Sequence, residues 1–243
     1  MTFTIHVQAA GLTDVGHVRR RNEDALYQGQ WLYAVADGLG GHVAGDIAST
    51  TAIDALKACD RRVAAEDLTR VLGRAINDAD AALRRRIRQQ PDLAGMGTTM
   101  VAMLRSDNTA VLANVGDSRA YLLPDLGVHN SPMVQITEDH TYHHLVAAAG
   151  NVPGLPDKLA RFLDGRKDGR STDLTVLQLR PGQRYLLCSD GLSSYVPAER
   201  IRNLLSASDA PAEVAESLVA SALDHGGRDN ITVIVIDVQG RVA

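Results

Sequence analysis

A chain of 243 residues, 45% hydrophobic and 22% charged, has the make-up of a soluble globular protein and the length for a sizeable core. Its formal net charge of -4, from 29 acidic and 25 basic residues, lacks the cationic footprint of a nucleic-acid binder. No stretch approaches the roughly 18 apolar residues of a membrane span, so neither polyanions nor a bilayer are expected partners.

The first residues, MTFTIHVQAAGL, carry neither a basic leader nor an apolar core of signal-peptide length, and a cytoplasmic protein is expected. WLYAVA (31–36) reads as a buried strand that ends on Asp37 and runs into a glycine-rich loop, DGLGGH. Helical spacing follows over 45–62 and 66–90. TTMVAMLR (98–105), TAVLANV (109–115) and RAYLLP (119–124) read as strands, 139–149 as a helix, LTVLQL (174–179), RYLLCS (184–189) and ITVIVIDV (231–238) as strands, and 198–207 and 211–225 as helices. Many strands are apolar on both faces, which calls for sheets covered by helices. Short turns such as SDN (106–108) and RPGQ (180–183) favour antiparallel pairing, so the expected fold is an α/β sandwich rather than a doubly wound parallel sheet. No linker or low-complexity segment divides the chain, and one domain over 1–243 is expected. Cys59 and Cys188 lie in a helix-like and a strand-like run and read as reduced, packed thiols rather than nucleophiles.

The chemistry comes from where the carboxylates fall. Asp37, Asp117 and Asp190 follow strands, while Asp24 and Asp229 precede them, and four of the five lie within a residue or two of glycine. Any single Asp-Gly reads as a turn; five at strand ends point further. YAVADGLGG and YLLCSDGLSS share one pattern, as if two strands each held a carboxylate at a common edge. Converging carboxylates repel one another, and a hard divalent cation resolves that repulsion. Asp oxygens with freed backbone carbonyls suit Mg²⁺ or Mn²⁺, whereas Zn²⁺ would favour His and Cys ligands that are not clustered here.

Seven ordered blocks, GLTDVGHVRRRNEDA (11–25), VADGLGGHVAGDIAS (35–49), GMGTTMVA (95–102), ANVGDSRAYL (113–122), ITEDHT (136–141), LLCSDGL (186–192) and GGRDNITVIV (226–235), give the chain a strong resemblance to metal-dependent protein phosphatases of the protein phosphatase 2C type, the PPM family. It is most similar to the compact bacterial members that oppose Ser/Thr kinases. The resemblance implies a four-layer α-β-β-α sandwich with two central, mainly antiparallel sheets flanked by helix pairs. It implies that Asp37 bridges two Mn²⁺ or Mg²⁺ ions, that the Gly38 carbonyl joins one shell, and that Asp190 and Asp229 complete the other. Glu23 and Asp24 would act largely through metal-held waters, Asp117 with Asp190 would offer a third, weaker ion site, and Arg19 would bind the phosphoryl group. Its neighbours Arg20 and Arg21 read as solvated.

The activity implied is hydrolysis of phosphoserine and phosphothreonine monoesters by in-line attack of a hydroxide held between two ions roughly 3.5–4 Å apart, with no phosphoenzyme. Phosphorylated proteins, and Ser/Thr kinases themselves, would be substrates, and the protein would be a monomer. Two alternatives stay open: an inactive relative that binds phosphoprotein, and a phosphoesterase for small molecules or phosphodiesters. Eukaryotic-type members carry a histidine where this chain has Leu39, so the general acid passes to His42 as a candidate, against a purely structural role for it. HTYHH puts His140, His143 and His144 on one helical face, read as solvated or capping rather than as a zinc site. Arg84, Arg85, Arg86 and Arg88 read as a solvated run late in a helix. A flap over about 145–173, rich in Gly, Pro and charge from Gly150 on, reads as mobile and departs from the family's usual pattern.

Overall fold

The inner strands of the central sheets divide their side chains between two cores, and this division makes the layers. In the computed structural model, which describes residues 3–39, 44–128, 131–142, 158–166 and 172–242, strand β3 (Leu32–Ala36) is buried throughout. Leu32, Ala34 and Ala36 face α1 (Gly45–Leu56) and α2 (Leu68–Gln89), while Tyr33 and Val35 face the opposite sheet. The same period of two splits β12 (Ile231–Val242): Val233 and Val235 pack on α4 (Ala198–Leu205) and α5 (Pro211–Asp224), whereas Ile234 and Ile236 fill the space between sheets. Helix pair, sheet, sheet and helix pair follow in that order, as expected from the sequence.

One sheet runs β1 (Phe3–Asp14), β12, β11 (Arg184–Cys188), β8 (Arg119–Leu123) and β9 (Val134–Gln135). The other runs β10 (Asp173–Gln178), β7 (Thr109–Val115), β6 (Met100–Arg105), β3 and β2 (Ala25–Gln28). A short ribbon joins β4 (Gly38–Leu39) to β5 (Gly97–Thr98). Every named pair is antiparallel. The SDN turn closes the β6–β7 hairpin, with Ser106 N–H donating to the Thr109 carbonyl at 2.7 Å. RPGQ does not close a hairpin: β10 and β11 belong to different sheets. Gly182, at φ 90°, donates to the Val238 carbonyl at 2.9 Å, so the turn carries the chain across the sandwich.

Four further departures are structural. Strand β1 pairs with β12 over its whole length, from Phe3↔Val242 to Asp14↔Ile231; as an edge strand it is only partly buried, with Ile5, Val7 and Ala9 packed between the sheets and Leu12 on the helix side. Asp190 opens a single helical turn, α3 (Asp190–Ser193), instead of a loop. Asp139 and His140 are irregular backbone, Thr141 forms a β-bridge with Leu159 and Tyr142 is helical; the expected helix from 143 on, with His143 and His144, lies outside the described residues. Arg184, in the apolar run RYLLC, is fully buried and pairs with Asp237. Cys59 and Cys188 are free and buried, and burial pushes their thiols up to about 11 and about 12, as packed thiols require. Among the described residues no helix is long and apolar enough to cross a membrane.

Candidate metal centre

The two sheets end together on one side, and each delivers carboxylates there. Asp37 leaves β3 and Asp117 follows β7, both in one sheet; Asp190 follows β11 and Asp229 precedes β12 in the other. These four, with Glu23, Arg19, Gly38, Leu39, Asn230 and Leu159, line a cavity of about 280 Å³. Asp24 sits behind this wall. Its Oδ2 accepts from Ser189 Oγ at 2.8 Å, and its buried Oδ1 has no hydrogen-bond partner among the described residues.

Asp37 is placed by its backbone. Its N–H donates to Thr99 Oγ1 at 3.0 Å, and its carbonyl accepts from Thr99 N–H and Thr98 Oγ1, both at 2.8 Å. Thr99 is in turn tied to Ser118 Oγ at 2.7 Å, beside Asp117. Gly38 must be glycine, because a Cβ there would stand 2.2 Å from the Gly45 carbonyl oxygen and 2.4 Å from that of Glu23. Asn230 secures the opposite wall: its Oδ1 accepts from Glu23 N–H at 2.8 Å, and its Nδ2 donates to the Val15 and Arg21 carbonyls at 2.9 Å each. Thr98, Thr99, Ser118, Ser189 and Asn230 escaped the sequence reading as positioning residues. The signals were GTT, GDS and RDN, whose polar residues border the Asp positions.

Burial and crowding distort the titration of the carboxylates. Burial raises Asp37 well above the ordinary range, with Asp24, Asp190, Asp117 and Asp229 adding repulsion. Burial, then Asp190, pushes Asp117 up to about 7, and Asp24 reaches about 6 chiefly through burial. Asp190 is raised by burial and Asp229, while a hydrogen bond with Asp37 works the other way. Arg19 Nη2 donates to Asp229 Oδ2 at 2.7 Å and is held more firmly charged by that bond.

The donor set fits hard dications. Among the described residues no three His, Cys, Asp or Glu side chains already close on one point. Instead, oxygen donors from both sheets share an open cavity, their charges are mutually unfavourable, and a close backbone approach that only glycine permits sits among them, as Mg²⁺ or Mn²⁺ with retained waters requires.

A family model described as Protein phosphatase 2C matches residues 16–225. The chain belongs to that family. It is 39% identical over 242 residues to the serine/threonine protein phosphatase PstP of Mycobacterium tuberculosis, covering 97% of this chain and 46% of that protein. The chain thus spans about half the length of that curated relative. The serine/threonine phosphatase stp of Listeria innocua is 35% identical, with 93% of each chain covered. A crystal structure of the PstP catalytic domain in complex with two manganese ions superposes with a TM-score of 0.86 at 39% identity, covering 98% of this chain and all of that one. In this protein phosphatase 2C chain, then, Arg19, Glu23, Asp37, Gly38, Asp117, Asp190 and Asp229 come together at one cavity, Asp24 lies just behind it, and His42 lies outside the described residues.

Ser189 donates to Asp24 and accepts from Thr232 N–H at 3.0 Å. Three readings, of His140, the flap and Arg84, change. His140 is neither solvated nor capping: it is buried, its Nδ1 accepts from Gly116 N–H at 3.1 Å, and its Nε2 meets Asp173 Oδ2 at 2.8 Å. The described part of the flap, 158–166, is pinned rather than loose. Leu163 bridges Thr98, and Gly165 sits between Asp80 and Arg84, whose Nε donates to its carbonyl at 2.6 Å, so Arg84 is not a solvated cation.

Proposed function

We propose that this chain is a metal-dependent serine/threonine protein phosphatase formed by a single catalytic domain over 1–243, acting on phosphoserine and phosphothreonine monoesters of proteins, kinases among them. The observation that carries the reading is the convergence of four aspartates from two sheets, beside Arg19, in one open cavity. Asp37 and the Gly38 carbonyl would hold one Mn²⁺ or Mg²⁺ ion, Asp37, Asp190 and Asp229 a second, and Asp117 with Asp190 a weaker third; Glu23 and Asp24 would support these through water. When bound, such a pair of ions supplies a water-derived nucleophile at neutral pH and offsets charge on phosphoryl oxygens.

The chain's own groups do the rest. The Arg19 guanidinium presents a planar fork to two phosphoryl oxygens and fixes their orientation. Leu39 carries no proton, so His42 is the candidate to protonate the departing seryl or threonyl oxygen. The high titration of Cys188 and the engagement of Ser189 with Asp24 support direct attack without a phosphoenzyme. The open cavity suits a loop of another protein better than a buried small metabolite. A monomer working in the cytoplasm completes the proposal.

The decisive assay compares phosphothreonine peptides, para-nitrophenyl phosphate, phosphodiesters and nucleotides on one preparation with Mn²⁺ or Mg²⁺. Peptide monoesters should turn over and EDTA should stop them; undiminished turnover in EDTA, or a preference for diesters, would overturn the reading.

A further inference from the structure

A second cavity, of about 430 Å³, adjoins the carboxylate cavity and shares Arg19, Glu23 and Asn230 with it; Arg20, Arg21 and Ala44 are among its other walls. Its charge is opposite in sign to its neighbour's. Three consecutive arginines face one glutamate, and Arg19 is already engaged with Asp229. Arg20 and Arg21 are exposed, and among the described residues their side chains make no ion pair or hydrogen bond. They are the free cations of this rim, on a protein of net charge -4.

The segment that carries them is fixed. Asn230 Nδ2 donates to the Arg21 carbonyl, and the Gly227 carbonyl accepts from His17 and Val18 N–H at 2.7 and 3.3 Å. The backbone of the arginine row is therefore tied at both ends to the turn before β12, beside Asp229. Guanidinium groups on such a support suit a compact anion, and the cavity they line adjoins the first one across Arg19.

We propose that this cavity is a subsite for a second anionic side chain of the substrate, a phosphoryl or carboxylate group within a few residues of the phosphoresidue being hydrolysed. The proposal rests on the phosphatase reading above. It gives Arg20 and Arg21 a task separate from the chemistry: selecting doubly phosphorylated or acidic segments.

The test uses three phosphothreonine peptides that differ only in flanks: neutral, bearing glutamates, or bearing a second phosphothreonine. The wild-type protein should favour the doubly phosphorylated peptide over the neutral one by about tenfold in kcat/KM, mostly through KM, as two exposed charge contacts allow. In R20Q/R21Q the ratio should fall towards one, and R20K/R21K should restore part of it. A ratio is immune to partial misfolding, which lowers both rates together. A glutamate peptide that shares the preference identifies charge as the selected feature, and one that does not identifies the phosphoryl group; either supports the subsite. A wild-type ratio near one, or one unchanged in R20Q/R21Q, overturns it. Fluorescence anisotropy of the same labelled peptides, with metal chelated, separates the two readings. Flank-dependent binding lost in R20Q/R21Q, with no hydrolysis by wild type under any metal, would sustain the subsite and sink the phosphatase reading; hydrolysis without flank preference would do the reverse.

Discussion

Arg19 and Asp229 are 210 residues apart in sequence and 2.7 Å apart in space, joining the proposed phosphoryl clamp to a proposed metal ligand. The pair is half-exposed, so it adds little to stability by itself. Its meaning is exchange of partners: a dication on Asp229 competes for the oxygen that Arg19 now holds and frees the guanidinium for substrate. Arg19→Ala should lower kcat/KM about 10- to 100-fold, the value of a charge-assisted hydrogen bond of ~1.5–3 kcal/mol. Steady-state assays with para-nitrophenyl phosphate check this; an unchanged kcat/KM would remove Arg19 from the phosphoryl site.

The raised carboxylates fix a pH dependence. A group protonated more readily in the folded than in the unfolded state favours folding at low pH and loses that contribution as pH rises through its folded value. Asp24 titrates near 6 and Asp117 near 7, against an ordinary 3.8. The Tm of metal-free protein should therefore fall from about pH 4 to about pH 7 and then level off. Saturating Mn²⁺ should reverse the trend, since binding needs the deprotonated groups. Thermal melts with and without EDTA measure both slopes. Asp37→Asn should raise the metal-free Tm at pH 8 and abolish turnover.

Gly38→Ala puts a methyl group into backbone on two sides. A cost of about 1–3 kcal/mol in urea unfolding is expected, together with weaker Mn²⁺ binding by titration calorimetry. Loss of stability with unchanged affinity would show that the Gly38 carbonyl is no ligand.

Arg184 donates to Asp237 Oδ2 at 2.8 Å and to the Leu205, Ala207 and Asp209 carbonyls. Arg184→Met should cost about 3–5 kcal/mol by stranding a buried Asp237, and the double variant R184M/D237L should recover much of the loss. Denaturant melts of the two variants decide it.

The layers could be read from the sequence because apolar runs on both strand faces demand cover on both sides, and the carboxylates because Asp-Gly at a strand end is conspicuous. Strand β1 was hidden: FTIHVQAAGLTD alternates weakly, and its apolar side chains on both faces are only partly buried. Ser189, Thr99 and Asn230 were hidden for a different reason. Their partners, Asp24, Asp37 and Glu23, lie 165, 62 and 207 residues away, and a short polar side chain carries no mark of a distant bond. His140 and Arg84 were read from neighbours in sequence, but their partners Asp173 and Gly165 come from chain that folds back over them.

Two aspartates at the cavity come from each sheet, so their repulsion pushes on the seam of the sandwich itself. Whatever neutralises them also fastens one sheet to the other at that end. Cohesion and reactivity then draw on the same four charges, which sets a limit on evolution and engineering alike: substitutions that make the empty protein sturdier by discharging the seam take away its grip on metal, and the strongest metal binders must tolerate the loosest resting state.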